Sequence, residues 1–187
     1  ATAFGSIVHA VAEYVAKEEV PANLEAMQEL INSSWRNLVY ESPWQSQSEL
    51  AEAHKAAARF LRYHEQADRV FIEAEGEVAT QVTVTTPSGS TEVIDLMGFV
   101  DRVERDDEGR LVAIDFKNMR DSVPNSKIPD HGQLGVYQLL LRDRQNEHVT
   151  PARQGEQGEQ GEQSEGSHKV GEASIGAALV QLRVEDK

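Results

Sequence analysis

The sequence predicts an α/β protein. Apolar residues recur at helical spacing through its first third. From Val70 the pattern changes to that of strands, punctuated by two polar turns that contain Gly. Another helical stretch then separates the second hairpin from a short apolar run near the end of the chain.

Phe4, Val8, Val11 and Val15 recur at steps of four, three and four, which predicts a helix over about residues 3–19, stopped by Pro21. His9 lies at the margin of that stripe, with Glu13 one turn later. A histidine beside an apolar face is a packed or surface residue as readily as a ligand. A second helix is predicted over 22–40, with Leu24, Met27, Ile31, Trp35 and Leu38 inward and Ser42-Pro43 as its break. A third, over 46–66, carries Leu50, Ala53, Ala57, Phe60 and Leu61, with His54 and His64 at solvated positions.

Val78, Gln81 to Val84 and Glu92 to Leu96 flank the turn Thr86-Pro87-Ser88-Gly89-Ser90. The hairpin Gly98 to Lys117, GFVDRVERDDEGRLVAIDFK, follows. In its second run Leu111, Ala113, Asp115 and Lys117 alternate with Val112, Ile114 and Phe116, so a period of two puts an acid and an amine opposite an apolar trio. A three-residue loop, Asp107-Glu108-Gly109, pairs Asp106 with Arg110, and counting back sets Asp101 across from Asp115. Like charges at that separation repel. A divalent cation would neutralise them, and a lysine two residues on would add a charge-stabilising ammonium.

Asn118 to Pro129 reads as a polar loop, and Asp130 as the N-cap of a helix that runs to about Arg144. Gln133 and Tyr137 share one face of it, the spacing of any half-buried amphipathic pair. Residues 151–169, rich in Gly, Gln and Glu, offer little apolar surface and are expected to form a mobile insertion. Ala177 to Val184 reads as a closing strand.

With 187 residues, 39% of them hydrophobic, the chain suits a single domain, 1–187. It has no cysteine, which excludes disulfides, zinc–thiolate sites and a cysteine-ligated iron–sulfur cluster. It shows no signal peptide and no apolar run of about 18 residues, which reads as a soluble, cytoplasmic protein with no membrane partner. Starting at Ala1 with Phe4 already inside an apolar stripe, it reads as a piece of a longer polypeptide. A net charge of −14 argues against a free-standing nucleic-acid binder, yet Arg102, Arg105, Arg110, Lys117, Arg120, Lys127, Arg142 and Arg144 concentrate basic charge in the central stretch.

Four stretches together resemble the RecB-type nuclease domains of the PD-(D/E)xK superfamily. Gly5-Ser6-Ile7-Val8-His9 matches that family's Gly-x-x-x-His helix, and Gly98-Phe99-Val100-Asp101-Arg102 its Gly-x-x-Asp-Arg strand. Ile114-Asp115-Phe116-Lys117 matches its Asp-x-Lys strand, and Gln133 to Tyr137 its Gln-x-x-x-Tyr helix. The likeness runs to the C-terminal nuclease modules of bacterial helicase–nucleases that process double-strand breaks, the AdnAB type in particular. Asn118-Met119 departs from the Thr-Gly that usually follows the lysine, and the cysteines of the iron–sulfur branches are absent.

The resemblance implies a restriction-endonuclease-like core, a central mixed β-sheet flanked by α-helices. It also implies an Mg²⁺- or Mn²⁺-dependent deoxyribonuclease, an exonuclease on single-stranded DNA ends, with a helicase domain in the same parent chain and a partner subunit. His9, Asp101, Asp115 and the backbone carbonyl of Phe116 would hold the metal. Lys117 would act in catalysis with Asp101 and Asp115, while Gln133 and Tyr137 support the site and meet the DNA. The alternative is a catalytically silent module that binds DNA or a partner subunit as a scaffold. Such a module is expected to lose one of the His, Asp, Asp and Lys positions, and all four are present.

Overall fold

Phe4, Val8, Val11 and Val15 are all buried, as the helical stripe requires. They lie on α1, Ala3–Ala16, in a computed structural model that describes residues 3–40, 42–118, 123–149 and 176–183. The expected insertion at 151–169 lies outside the described residues, as does Arg120.

α2, Leu24–Trp35, is capped by the Asn23 side chain, which accepts the Ala26 N–H at 2.9 Å. It ends five residues before the expected boundary, because the stripe Met27, Ile31 and Trp35 is already buried there while Leu38 and Tyr40 pack from the following turn. Ser42 and Pro43 do more than break α2. Ser42 accepts the Gln45 N–H and Pro43 opens α3, Pro43–Gln66, where a proline's missing N–H costs nothing.

β1, Val70–Thr85, and β2, Thr91–Arg105, form one long antiparallel pair, so the two expected hairpins share β2 as a common strand. β3, Leu111–Lys117, pairs with the near half of β2, from Arg102↔Ile114 to Arg105↔Leu111. The two turns have the same build. Thr86 N–H donates to Ser90 O and Asp106 N–H to Arg110 O, with Gly89 at φ 84° and Gly109 at φ 79°. A side chain there would be strained, so glycine sets the register of each hairpin.

α4, Gly132–Val149, crosses to β4, Gly176–Gln181, which adds parallel to β3. The helix begins two residues after Asp130, which lies in the preceding turn and is not its N-cap, and it runs past Arg144. The sheet order is β1-β2-β3-β4. Val112, Ile114 and Phe116 of β3 join a core with α1, α2 and α3. Leu111 and Ala113 join a second core with Leu134, Tyr137, Leu140 and Leu141 of α4. The mixed sheet flanked by helices is therefore present, and the face that carries Asp115 is itself roofed by α4 rather than open to solvent. Among the described residues, no helix is long and apolar enough to cross a membrane.

Candidate metal-binding and catalytic site

The candidate site forms where β2 and β3 part. Ladder pairing stops at Arg102↔Ile114, one residue short of the expected facing of Asp101 and Asp115. In its place the Phe116 N–H donates to Asp101 Oδ2 at 2.7 Å, so the carboxylate itself ties the two strands.

β2 also loses its alternation at this point. Val103 packs under α4 while Arg102 and Glu104 turn towards Tyr63 and His64 of α3. Val100, three residues before Val103, is again in the α4 core, so the face presented has switched in between. Across the pair, β1 has a bulge between Phe71 and Glu73, and Glu75 adopts φ 48°. A left-handed backbone is uncommon outside glycine and re-aims the side chain. The switch leaves Asp101 and Glu75 at the seam between layers, where α1 brings His9. His9 Nδ1 lies 3.5 Å from Asp101 Oδ1 and 3.7 Å from Glu75 Oε1. One ligand atom from each residue falls within 4.8 Å of the others. The His9 and Phe116 rings meet edge to face at 6.4 Å, which fixes the imidazole from behind.

Asp115 is 2% exposed. Its Oδ1 accepts from Gln133 Nε2 at 2.8 Å and from the Tyr137 hydroxyl at 3.3 Å. Gln133 also donates to Tyr137 Oη at 2.7 Å and accepts from Lys117 Nζ at 2.7 Å. The Gln-x-x-x-Tyr pair thus grips both the acid and the amine of the Asp-x-Lys strand. Asp115 Oδ2 is different. It is buried and takes the Lys117 ammonium as its charge partner, with Nζ 2.6 Å away.

Burial lowers the tendency of His9 to hold a proton, but hydrogen bonds and charge from Asp101 and Glu75 reverse that and raise its pKa to about 10. Burial raises the pKa of Asp115; Lys117 opposes the rise and the charge of Asp101 adds to it. Burial, followed by the charge of Asp115, likewise pushes Tyr137 up, so its phenol stays protonated and remains a donor. Three carboxylates crowd negative charge around the protonated His9 and the Lys117 ammonium. One imidazole with carboxylate oxygens is a donor set for a hard or borderline divalent ion. The residues present therefore fit such a cation.

Glu75 escaped the sequence reading. It is one of three alternating acids, Glu73, Glu75 and Glu77, and the sole hint is Gly76, which marks an irregular strand. His64 is not at a solvated position: its Nδ1 lies 3.2 Å from Arg102 Nη1 and its ring stacks on Phe60. Three of the described central arginines are taken up by acids. Arg102 is buried on Glu104, Arg110 pairs with Asp106 and Glu108, and Arg144 pairs with Glu73.

A family model described as the PD-(D/E)XK nuclease superfamily matches residues 1–183, which takes in every side chain of this seam. A search of curated proteins gave no match. Each strand and helix that the signature stretches occupy meets at one point of the sheet, and the match spans nearly all of the chain: it belongs to the PD-(D/E)XK nuclease superfamily.

Proposed function

We propose that the chain is a metal-dependent DNA nuclease that hydrolyses phosphodiester bonds, an exonuclease module of an AdnAB-type helicase–nuclease that trims single-stranded ends at double-strand breaks. The observation that supports this most is Asp115. A buried carboxylate paired with a lysine on the same strand face, and coupled by charge to Asp101 of the His9–Glu75–Asp101 cluster, is what a site prepared for a cation and a phosphate presents. The helicase–nuclease context rests on the four signature stretches in order, from Gly5 to Tyr137, and on the absence of cysteine.

In this reading His9, Glu75, Asp101, Asp115 and the Phe116 carbonyl would hold Mg²⁺ or Mn²⁺, which when bound supplies Lewis acidity and lowers the pKa of a water. Lys117 places a positive charge where the phosphoryl oxygens gain negative charge in the transition state. Gln133 aims that ammonium through its carbonyl and holds Asp115 through its amide. Tyr137 holds Asp115 from the α4 side. His9 would hold the cation through a neutral imidazole nitrogen, which requires loss of the proton that Asp101 and Glu75 keep on it in the metal-free protein.

Lys117→Ala separates this reading from a silent DNA-binding scaffold. In a nuclease the variant should lose about 10²–10³ in single-turnover cleavage while DNA affinity and Mn²⁺ affinity hold, because the contact strengthens in the transition state. In a scaffold the same change would weaken DNA binding modestly and reduce its salt slope by about one unit.

A further inference from the structure

Gln181 carries a buried acceptor without a partner. Its Oε1 is buried and accepts no hydrogen bond, an arrangement that costs stability unless another state of the molecule satisfies it. Its place is specific. Gln181 is the register partner of Lys117 in the parallel β3–β4 pair. Ala177 and Leu179 pack into the α4 core, whereas Ala178 and Val180 pack into the other. Strand alternation therefore puts the Gln181 side chain on the face of Asp115 and Lys117. The strand end is held there, since the Leu182 N–H donates to Lys117 O at 2.9 Å and Arg59 Nη1 donates to Leu182 O at 2.7 Å.

A lysine ammonium has three donors. One goes to Gln133 Oε1 at 2.7 Å, and Asp115 Oδ2 draws the ammonium to 2.6 Å. A divalent cation on the Asp115 carboxylate would repel the ammonium that leans on it, the more so in a buried setting. A cation on Asp115 thus frees the ammonium, which needs a replacement acceptor. Gln133 Oε1 is one that it keeps. Asn118 Oδ1, next along the chain, and Gln181 Oε1, across the strand, both stand idle, and of the two it is Gln181 that is in register with Lys117 on its face of the sheet.

We infer that Gln181 is a positioning residue, which receives the Lys117 ammonium when a divalent cation occupies Asp115 and holds it beside the substrate phosphate. The inference rests on the nuclease reading above. It accounts for an unpaired acceptor on β4, an element to which that reading gives no task. It also makes β4 part of the site, with the lysine suspended between α4 and β4 instead of leaning on its own strand's acid.

The test uses the full chain as wild type, Gln181→Leu, Gln181→Asn, which shortens the acceptor's reach, and Gln181→Glu, which keeps an acceptor. Amine modification of Lys117, followed by mass spectrometry with and without Mn²⁺ and in the absence of DNA, reads the ammonium directly. In wild type and Gln181→Glu, Mn²⁺ should leave the modification rate nearly unchanged. In Gln181→Leu and Gln181→Asn, it should rise about tenfold with Mn²⁺ alone, the scale of one lost hydrogen bond to a charged group. Single-turnover cleavage should fall about tenfold in those two variants at unchanged Mn²⁺ and DNA affinities. Lys117 reactivity equal to wild type in folded Gln181→Leu or Gln181→Asn with Mn²⁺ bound, beside active wild type, would overturn this inference and leave the nuclease reading standing. Wild type that binds no Mn²⁺ and cuts no DNA would overturn both.

Discussion

His9 shows how the site trades a proton for a cation. Asp101 and Glu75 hold its pKa at about 10 against burial, so the imidazole is charged at neutral pH in the metal-free protein. The folded-state pKa lies above the ordinary 6.5, so this contribution to stability is full below pH 6.5 and disappears as pH rises towards 10. The melting temperature of the metal-free chain should fall across that window, and His9→Ala should flatten the fall; a profile that is the same in both would contradict the assignment. Binding of Mn²⁺ at neutral pH should release close to one proton, visible by calorimetry in buffers of different ionisation enthalpy. Asp115 has the opposite consequence for a mutant. Its pKa is raised by burial, so stability is present below the ordinary 3.8 and lost as pH rises and the carboxylate ionises. Asp115→Asn should therefore raise the melting temperature of the metal-free protein while abolishing Mn²⁺ binding. Titration calorimetry that finds undiminished Mn²⁺ affinity in Asp115→Asn would remove Asp115 from the site. The shared face of Asp115 and Lys117 was legible, because strand alternation fixes it, whereas the facing of Asp101 and Asp115 was not, since the ladder stops at Arg102↔Ile114. Glu75 was not, since its role depends on a left-handed φ that its neighbours in sequence do not announce.

At the scale of elements, β2 is the strand that both hairpins share and the one whose face switches at Asp101. The switch is held by a buried polar group on the α3 side. Arg102 and Glu104 are 2% and 0% exposed, joined at 2.6 Å, with the Tyr63 hydroxyl donating to Glu104 at 2.8 Å. The Arg102 guanidinium also lies 4.8 Å from the centre of the Phe71 ring. Glu104→Leu alone would strand the arginine's charge in the core and should cost about 3–5 kcal/mol in denaturant unfolding. Arg102→Met with Glu104→Leu should recover most of that, as apolar replacements of whole buried pairs do. A double variant as unstable as the single one would mean that the pair does more than neutralise itself. The sequence concealed this arrangement for a physical reason. An Arg and a Glu two apart on a strand look the same whether water or a helix covers them, so Arg102 reads as part of a basic surface until α3 is seen to lie over it. The helix boundaries slipped for a related cause, since Ser42 and Pro43 read as a helix stop but cap and open α3, after α2 has already ended at Trp35.

At the scale of the molecule, one seam draws side chains from α1, β1, β2, β3 and α4. The net charge of −14 and the pairing of central arginines with acids leave little to attract a phosphate backbone. Association with DNA should therefore depend on the divalent ion that neutralises the seam. Chelation should weaken binding of a single-stranded oligonucleotide by tenfold or more, a shift of about 1.4 kcal/mol, as read by fluorescence anisotropy; unchanged affinity would point to a binding face elsewhere. The most direct test of the account is the cleavage of end-labelled single-stranded DNA by the chain, with Mn²⁺, with Mg²⁺ and with chelator. The account predicts products that accumulate with either ion, stop with chelator and nearly vanish in Lys117→Ala. Wild-type chain that binds Mn²⁺ and DNA yet leaves the strand intact under both ions would contradict it.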